Sequence, residues 1–435
     1  MTLFLIIYVI LGLFLVIHSK YKYLCNELFW LGMFWLLIVG VYYTSGVVYK
    51  SYPPSLLLFI YIILCTSLLL LGRNMGKKSR ISVFINEPTK INTFKYTLLG
   101  LFGVFIFVFD LFRLNGITLF LGGSEGKNND YEISMLGALG SLLIPILFVE
   151  GLYLIAKKIK YENSFSLFGL LLLIGYSIPC ILNNGRESLS YAFISIIVLL
   201  GYNKISSNTK RNKTINLRRI LIITSVFAGI GLFILLILNI SSSRFGDNEI
   251  NVFLYKNDVS EKTMNEAQSW GDFEFLYYNI LSYFSHQLSF LEFTLKEYDG
   301  PYMFGLFELN IVSRRLPEFL GLDYQLVFQK LNKLYTLKNA NYSGEWNTVL
   351  GTFIFDFGQL GCIFVCYFVG YVLGKIRRKF ISTYDVRYAV LVAIICASCI
   401  STIQLGPFYN VLIYGAFIWW MIIFMHDEKR ILPRL

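Results

Sequence analysis

Five arginines stand in the polar segments that separate long apolar runs, and their side chains suit an anionic ligand. They are Arg113, Arg186, Arg244, Arg314 and Arg315. A guanidinium group keeps its charge in any environment and binds phosphate oxygens through two parallel hydrogen bonds. As a set, these arginines predict binding of a phosphate-bearing ligand such as a lipid diphosphate headgroup. For any single arginine, contact with membrane lipid phosphates or with a local carboxylate explains its position equally well.

A second group of residues can take up or release protons. His286 lies in an aromatic stretch, and an imidazole with a pKa of about 6.5 can serve as a general base, although a lone histidine is more often structural. Asp110 and Arg113 share a helical face and form either a structural ion pair or part of a site. Asp356 lies two turns inside an apolar run, where an ionisable group is costly and therefore a functional candidate.

The residue types that can bind metals do not form a recognisable metal-binding motif in this sequence, and we expect no metal and no cofactor. The sequence has three histidines and lacks the H-E-x-x-H, P-loop and D-x-D motifs. Acid-x-acid pairs are about as frequent in the polar segments as chance would give, namely Asp130/Glu132, Asp247/Glu249 and Asp272/Glu274. The seven cysteines include Cys396-x-x-Cys399, which has no second pair, so we interpret the thiols as small apolar groups.

The elements that position these residues are membrane helices. Of the 435 residues, 56% are hydrophobic and only 15% are charged, which excludes a soluble enzyme. Apolar runs long enough to cross a bilayer predict about eleven spans. They lie near 2–17, 28–48, 55–72, 96–112, 133–156, 165–183, 188–202, 220–240, 349–374, 388–403 and 409–425. The predicted fold is an all-α polytopic bundle of ten to twelve transmembrane helices, compatible with a GT-C-like architecture.

The distribution of Lys and Arg predicts the orientation of these spans. With the N-terminus outside and the C-terminus in the cytoplasm, the inner segments carry 25 basic and 6 acidic residues, and the outer ones 13 and 18. This asymmetry follows the positive-inside rule. The net charge of +11 therefore reflects an inner face apposed to anionic lipid and does not indicate nucleic-acid binding.

The largest polar segment, 241–346, divides the chain into three parts. Residues 1–240 contain the first eight predicted spans, residues 241–346 form the large outer loop, and residues 347–435 contain the last three spans and a short cytoplasmic tail. Its first part is polar and predicts an exposed surface loop. Its middle, 273–293, is rich in Phe, Tyr and Leu but interrupted by charges, which predicts a helix in the interface or against the bundle. We expect function to concentrate in this loop.

Three sequence pieces resemble the Wzy family, the repeat-unit polymerases of bacterial O-antigen and capsule. They are FRLNGITLFLGG, NNGRESLSYAFISIIVLLGY and NYSGEWNTVLGTFIFDFGQLGCIFVCYFVGYVLG, and NIVSRRLPEFLG is similar to the family segment that precedes the last of these. The resemblance covers nearly the whole chain. The paired R-x10-G loop motifs of some members are missing, so a mechanism based on them does not transfer.

The resemblance implies an inverting, metal-independent glycosyl transfer on the outer face of the bacterial cytoplasmic membrane. Undecaprenyl-diphosphate-linked oligosaccharides are the implied substrates, and a chain-length regulator and a flippase of the same pathway are implied partners, besides the membrane lipids. The five arginines bind the diphosphates in this scheme. His286, Glu345 or Asp356 is the base, and Asn347 and Thr348 position the acceptor, although helix packing also explains the last two.

Two other functions stay open at this point. A GT-C glycosyltransferase or an O-antigen ligase uses the same polyprenyl-diphosphate donor but a different acceptor. A flippase or transporter of the lipid-linked sugar is less favoured, because transporters usually show internal repeats and modest loops. The glycines of DFGQLG, Gly370 and Gly374 predict close helix contacts.

Overall fold

A computed structural model describes most of the chain, and the structural statements below refer to this described part. It comprises residues 25–49, 52–79, 93–115, 134–162, 164–182, 187–206, 254, 257–271, 274–299, 302–305, 348–403 and 411–425.

Helices account for nearly all of the regular structure. They are α1 (Glu27–Thr44), α2 (Leu56–Lys78), α3 (Thr93–Asn115), α4 (Met135–Leu143), α5 (Pro145–Glu162), α6 (Leu167–Leu182), α7 (Glu187–Ser206), α8 (Glu261–Gln268), α9 (Glu274–Glu297), α10 (Val349–Thr383), α11 (Val386–Ser398) and α12 (Val411–Met425). Two strands, β1 (Val47–Tyr49) and β2 (Asn257–Val259), and a 3₁₀ turn, Ser401–Ile403, complete the set.

The predicted apolar runs correspond to these helices wherever the structure describes them. Five helical stretches are long and apolar enough to cross a membrane: α1, α2, α3, α4 together with α5, and α10. The protein is therefore a helical, membrane-embedded protein. The predicted spans 2–17 and 220–240 lie outside the described residues, so the expected number of about eleven spans stays a prediction.

Several helix ends differ from the apolar runs for local reasons. Both α2 and α10 continue beyond the runs through their basic residues, ending at Lys78 and Thr383. Cations suit the carboxyl end of a helix, which explains the extension of α2, whose last turn carries Lys77 and Lys78; the last turn of α10 carries no basic residue. The run at 133–156 is two helices, because Pro145 has no amide hydrogen and begins a second helix directly after Ile144.

Helices α2 and α10 pack closely along their lengths through small residues. A Cβ atom added at Gly370 would lie 2.1 Å from the backbone oxygen of Leu69, and one at Gly374 would lie 2.2 Å from that of Arg73. On the facing helix, Gly72 and Gly76 meet the backbone of α10 equally closely. The predicted role of Gly370 and Gly374 as close helix contacts is confirmed, and the contact is of the kind that joins membrane helices.

One end of the bundle carries an ordered cap made of β1, β2, α8 and α9, and we call it the cap end. The two strands pair antiparallel, with Val47 opposite Val259. Helix α9 packs against α1, α2 and α10, as predicted for the aromatic middle of the long loop. The prediction of an exposed loop for the first part of segment 241–346 was wrong for Asn257–Gln268, which forms β2 and α8. The two-stranded sheet of β1 and β2 also departs from the predicted all-α fold.

The opposite end of the bundle is tied by ion pairs and hydrogen bonds between predicted inner segments. Arg73 pairs with Glu27 at 2.6 Å. Tyr202 donates a hydrogen bond to the backbone oxygen of Tyr384 at 2.8 Å, and Lys160 donates one to the same oxygen at 2.9 Å. The predicted inner segments therefore contact one another, while their orientation relative to the membrane stays a prediction.

Candidate functional site

Helix α10 is interrupted close to the cap end, at Gly358. This glycine has φ +74° and ψ +174°, a conformation that essentially only glycine adopts. The interruption divides α10 into a short first half-helix and a long second one. The backbone oxygens just before the break lose their helical partners and require others.

A segment of the long loop supplies those partners. The amide of Met303 donates to the oxygen of Phe355 at 3.2 Å, and the amide of Phe304 donates to that of Asp356 at 2.9 Å. Phe304 itself adopts a left-handed φ of +52°, which is uncommon for a bulky residue. The loop is thus bound to the break through its backbone.

Side chains from α2 and from the segment that follows α9 also meet at the break. A Cβ atom at Gly358 would lie 3.0 Å from the ring of Tyr302, and the ring of Tyr298 packs edge-on against Phe355 with centroids 4.8 Å apart. Gln359 donates through Nε2 to the backbone oxygen of Tyr298 at 2.9 Å, and the hydroxyl of Tyr61 on α2 donates to the oxygen of Gln359 at 2.7 Å. The break therefore joins α2, α9 and α10.

The sequence did not predict this arrangement. The interpretation of the DFGQLG glycines as close helix contacts was wrong for Gly358, whose main role is to allow the break. A glycine directly after Asp-Phe in an apolar run is a possible interruption signal, but the same letters suit helix packing. The partner residues Tyr298, Tyr302 and Gln359 carried no separate signal.

Asp356 lies at this break, and its side chain is fully buried. Burial raises the pKa of the neighbouring Tyr298 phenol above its usual value, and the nearby ionisable groups of Tyr302, Asp356 and Asp299 add to the effect. Tyr298 therefore stays protonated at neutral pH and can donate a hydrogen bond. A carboxylate at this position can accept a proton.

His286 is buried in the cap, on α9. Its Nε2 lies 2.7 Å from Oδ1 of Asn257 on β2, and since an amide oxygen only accepts, Nε2 holds the proton in this geometry. Leu295, which contacts Gln359 near the break, follows His286 by nine residues, or about 14 Å along a helix axis. The structure does not bring His286 and Asp356 together.

Asp110 and Arg113 form the predicted pair, with Nη2 of Arg113 at 3.0 Å from Oδ1 of Asp110. Asp110 also accepts hydrogen bonds from the amides of Ser134 and Gly137, each at 3.1 Å, so its carboxylate caps the amino end of α4. This arrangement makes Asp110 structural. The Arg113 side chain remains 48% exposed beside the pair.

Thr348 is buried and caps α10, since its Oγ1 accepts a hydrogen bond from the amide of Gly351 at 3.3 Å. It fixes the start of the half-helix that carries Asp356. The remaining candidates lie outside the described residues: Arg186, Arg244, Arg314, Arg315, Glu345 and Asn347.

Glu292 is a buried charge that the sequence showed only as an interruption of an aromatic stretch. Its Oε2 accepts hydrogen bonds from the amide and the hydroxyl of Ser55, at 3.1 and 3.0 Å, and its Oε1 lies 2.5 Å from Nζ of Lys296. Ser55 is the N-cap residue of α2. Glu292 therefore anchors the cap helix α9 to the start of a membrane helix.

Three thiols form a cluster that was not predicted. The sulfur atoms of Cys65, Cys362 and Cys366 lie within 4.8 Å of one another, and all three residues are buried. Cys362 and Cys366 have helical spacing, but only the fold adds Cys65. Thiolates in this arrangement can bind a soft metal ion, whereas neutral thiols pack as small apolar groups. The apolar surroundings favour the neutral form, because an uncompensated buried charge is costly.

No protein-family model, curated protein or solved structure matches this chain. The functional argument therefore rests on the residues and on their geometry.

Proposed function

We propose that this chain is a membrane-embedded glycosyltransferase that joins undecaprenyl-diphosphate-linked repeat units into an O-antigen or capsular polysaccharide. The observation that carries the proposal is the break in α10, where a buried carboxylate, a half-helix end and a segment of the long loop converge at one end of an apolar bundle. Discontinuous membrane helices recur at substrate sites. A lipid-linked sugar fits this position, with its lipid in the bilayer and its sugars at the cap end.

The proposed reaction needs a base and positive charge, and little else. A sugar hydroxyl of one repeat unit attacks the anomeric carbon of the growing chain and loses its proton to the base. The bond from that carbon to the diphosphate oxygen breaks, and undecaprenyl diphosphate leaves with the electron pair. Attack opposite the leaving group inverts the anomeric configuration. Guanidinium groups that neutralise the diphosphate stabilise the charge that develops in the transition state.

Asp356 is the base in this proposal, in preference to His286 and Glu345. It lies at the convergence described above, two turns after the capped start of α10. His286, by contrast, is engaged with Asn257 in the cap. Among the candidate arginines within the described residues, Arg113 is the proposed diphosphate ligand, since its guanidinium is half exposed and anchored on one side by Asp110. Arg186, Arg244, Arg314 and Arg315 complete the proposed anion site, and Asn347 and Thr348 place the acceptor.

The proposed location is the bacterial cytoplasmic membrane, with the cap end outside. The charge distribution supports this orientation, because the predicted inner segments hold 25 of the 38 basic residues. A flippase that delivers the substrate and a regulator of chain length are the proposed partners.

The test uses purified protein, a chemically defined undecaprenyl-diphosphate repeat unit and EDTA, with products resolved by size on a gel. We expect a ladder that persists in the chelator. Asp356→Asn and Arg113→Ala should abolish the ladder in folded protein, and Arg113→Lys should restore little, since a lysine cannot form the two parallel hydrogen bonds. Lys262→Ala, at a side chain that is 86% exposed on α8, is the matched control and should leave the ladder intact.

A flippase for the same lipid is the second candidate, because broken membrane helices are also typical of transporters. Absence of a ladder from folded wild-type protein, together with movement of the lipid-linked sugar across proteoliposomes, would favour this function. Transfer of a single glycan to a different acceptor would instead indicate a ligase.

A further inference from the structure

An apolar cavity of about 220 Å³ lies between α1, α2, α10, α11 and α12 and is partly open to the surface. Large apolar side chains make up most of its wall, among them Trp35, Leu69, Val369 and Phe417. No step of the proposed reaction uses this cavity.

The cavity runs along part of the membrane-spanning helices, from Glu27 to Leu36 on α1 and from Ile62 to Leu70 on α2, which is about 12–14 Å along a helix axis. On α10 its wall includes residues on both sides of the break, and Sγ of Cys362 lies 3.7 Å from the backbone oxygen of Leu350, so the two half-helices lie side by side here. At the other end the wall includes Glu27, whose carboxylate is paired with Arg73. The cavity therefore extends from the first half-helix of α10 toward this ion pair.

Polar side chains on the wall use their hydrogen-bonding groups within the protein. The hydroxyl of Thr402 donates to the oxygen of Cys399 at 2.6 Å, and that of Ser398 donates to the oxygen of Ile395 at 2.7 Å. A water molecule needs two to four polar partners to be stable in a cavity. This wall therefore suits a hydrocarbon chain better than water.

The cavity is partly open, and apolar side chains are also exposed on the helices that border it. Helices α2 and α10 border it, and both carry large apolar side chains that are exposed. These include Leu64, Leu71, Leu360, Phe364 and Phe368.

We propose that this cavity holds part of the isoprenoid chain of the lipid-linked substrate, with the diphosphate at the end next to the break in α10. This inference rests on the proposed function and adds a binding site for the lipid part of the substrate. The site is uncharged apart from the paired Glu27 and Arg73, which matches an uncharged chain. Its wall includes Val349, Leu350 and Phe353 of the first half-helix of α10, which also carries Asp356.

The experiment uses undecaprenyl phosphate with a photoreactive group in its chain, so that binding is measured without the sugar reaction. The full-length protein is irradiated with this probe, and the labelled peptides are identified by mass spectrometry. We expect label on α1, α2 and α10 at residues of the cavity wall. Excess unlabelled undecaprenyl phosphate should displace it, and excess phospholipid should not.

Two valine variants on α10 provide the comparison. Val369→Trp fills the cavity, whereas Val372→Trp changes an exposed side chain one turn away that is not part of the wall. We expect Val369→Trp to lower labelling at least about fivefold, which corresponds to about 1 kcal/mol of binding, and Val372→Trp to leave it unchanged. Both proteins are first compared with wild type by thermal unfolding.

If Val369→Trp does not fold, the native thiols provide a second measurement. Cys65 and Cys366 line the cavity, so undecaprenyl phosphate should slow their reaction with a membrane-permeant maleimide. Label displaced equally by phospholipid, label confined to other surfaces, or crosslinks showing that residues 1–24 of the chain occupy the cavity would each overturn the proposal. A ladder in the polymerisation assay with no label in the cavity would reject only this site, and label without a ladder would reject only the polymerase.

Discussion

Replacing Gly358 with alanine tests whether the break in α10 organises the cap end. Alanine adds one Cβ atom, which would lie 3.0 and 3.1 Å from two ring atoms of Tyr302. It also disfavours the backbone conformation at this position, because φ is +74°. Relief of both strains requires the Tyr302 ring to move and the backbone at position 358 to change, which releases the loop segment from the break.

The cost follows from the backbone strain of the docked form. A non-glycine residue in this region of φ and ψ costs about 1–3 kcal/mol. The backbone hydrogen bonds made by Met303 and Phe304 are each worth about 0.5–1.5 kcal/mol and are lost on release in wild type and variant alike. We therefore expect Gly358→Ala to destabilise the docked loop by about 1–3 kcal/mol.

Hydrogen exchange of the Met303 and Phe304 amides measures this change directly. A loss of about 2 kcal/mol should raise both exchange rates about 30-fold, since each 1.4 kcal/mol is a factor of ten. Gly40→Ala is the matched control, because a Cβ atom there meets nothing within 4 Å. Unchanged exchange at both amides in Gly358→Ala would refute the role assigned to the break.

Two further substitutions test the packing of the bundle. Asp110→Asn should lower the free energy of unfolding by about 1–3 kcal/mol, because the charged acceptor for the amides of Ser134 and Gly137 is lost; denaturant titration measures this. Gly370→Ala should cost a similar 1–3 kcal/mol, because the added Cβ forces α10 away from the Leu69 oxygen; thermal unfolding measures this.

Gly40→Ala again serves as the reference for Gly370→Ala, since it makes the same chemical change in open space within a membrane helix. Equal stability of these two variants would show that the close α2–α10 contact contributes nothing. An Asp110→Asn protein as stable as the wild type would contradict the capping role of this carboxylate.

Hydropathy predicted most of the described helices because a bilayer imposes a simple rule on composition. A span must be apolar for about 20 residues, and runs such as 55–72 satisfy this without reference to any other part of the chain. The two-stranded sheet of β1 and β2 was not predicted, for the opposite reason. Val47–Tyr49 and Asn257–Val259 pair across roughly 200 residues of sequence, and neither triplet alone is long enough to indicate a strand.

The candidate site was predictable as a set of residue types but not as an arrangement. Asp356 was found because a carboxylate inside an apolar run is rare. Its neighbours Tyr298 and Tyr302 belong to a loop rich in tyrosine, where nothing distinguishes two residues from the others. Contacts between a loop and a distant helix are set by tertiary packing, and local sequence patterns carry little information about them.

Two of the candidate bases, His286 and Asp356, lie within the described residues, and their separation gives a last prediction. His286 lies in the cap and Asp356 at the break, so their substitutions should act on different properties. His286→Gln should lower stability by about 1–3 kcal/mol, because Asn257 loses a buried partner, while the polymer ladder persists. Asp356→Asn should abolish the ladder while the unfolding transition stays near that of the wild type.

Combining both substitutions sharpens this test. The effects of substitutions at sites without shared partners are additive within about 0.5 kcal/mol. The unfolding free energy of the double variant should therefore fall by the sum of the decreases in the two single variants. Loss of the ladder in His286→Gln at unchanged stability would assign the base to the cap and reverse the proposed roles. Strong coupling between the two positions would instead mean that α9 transmits changes from the cap to the break, through the contacts of Leu295 and Tyr298 with Gln359.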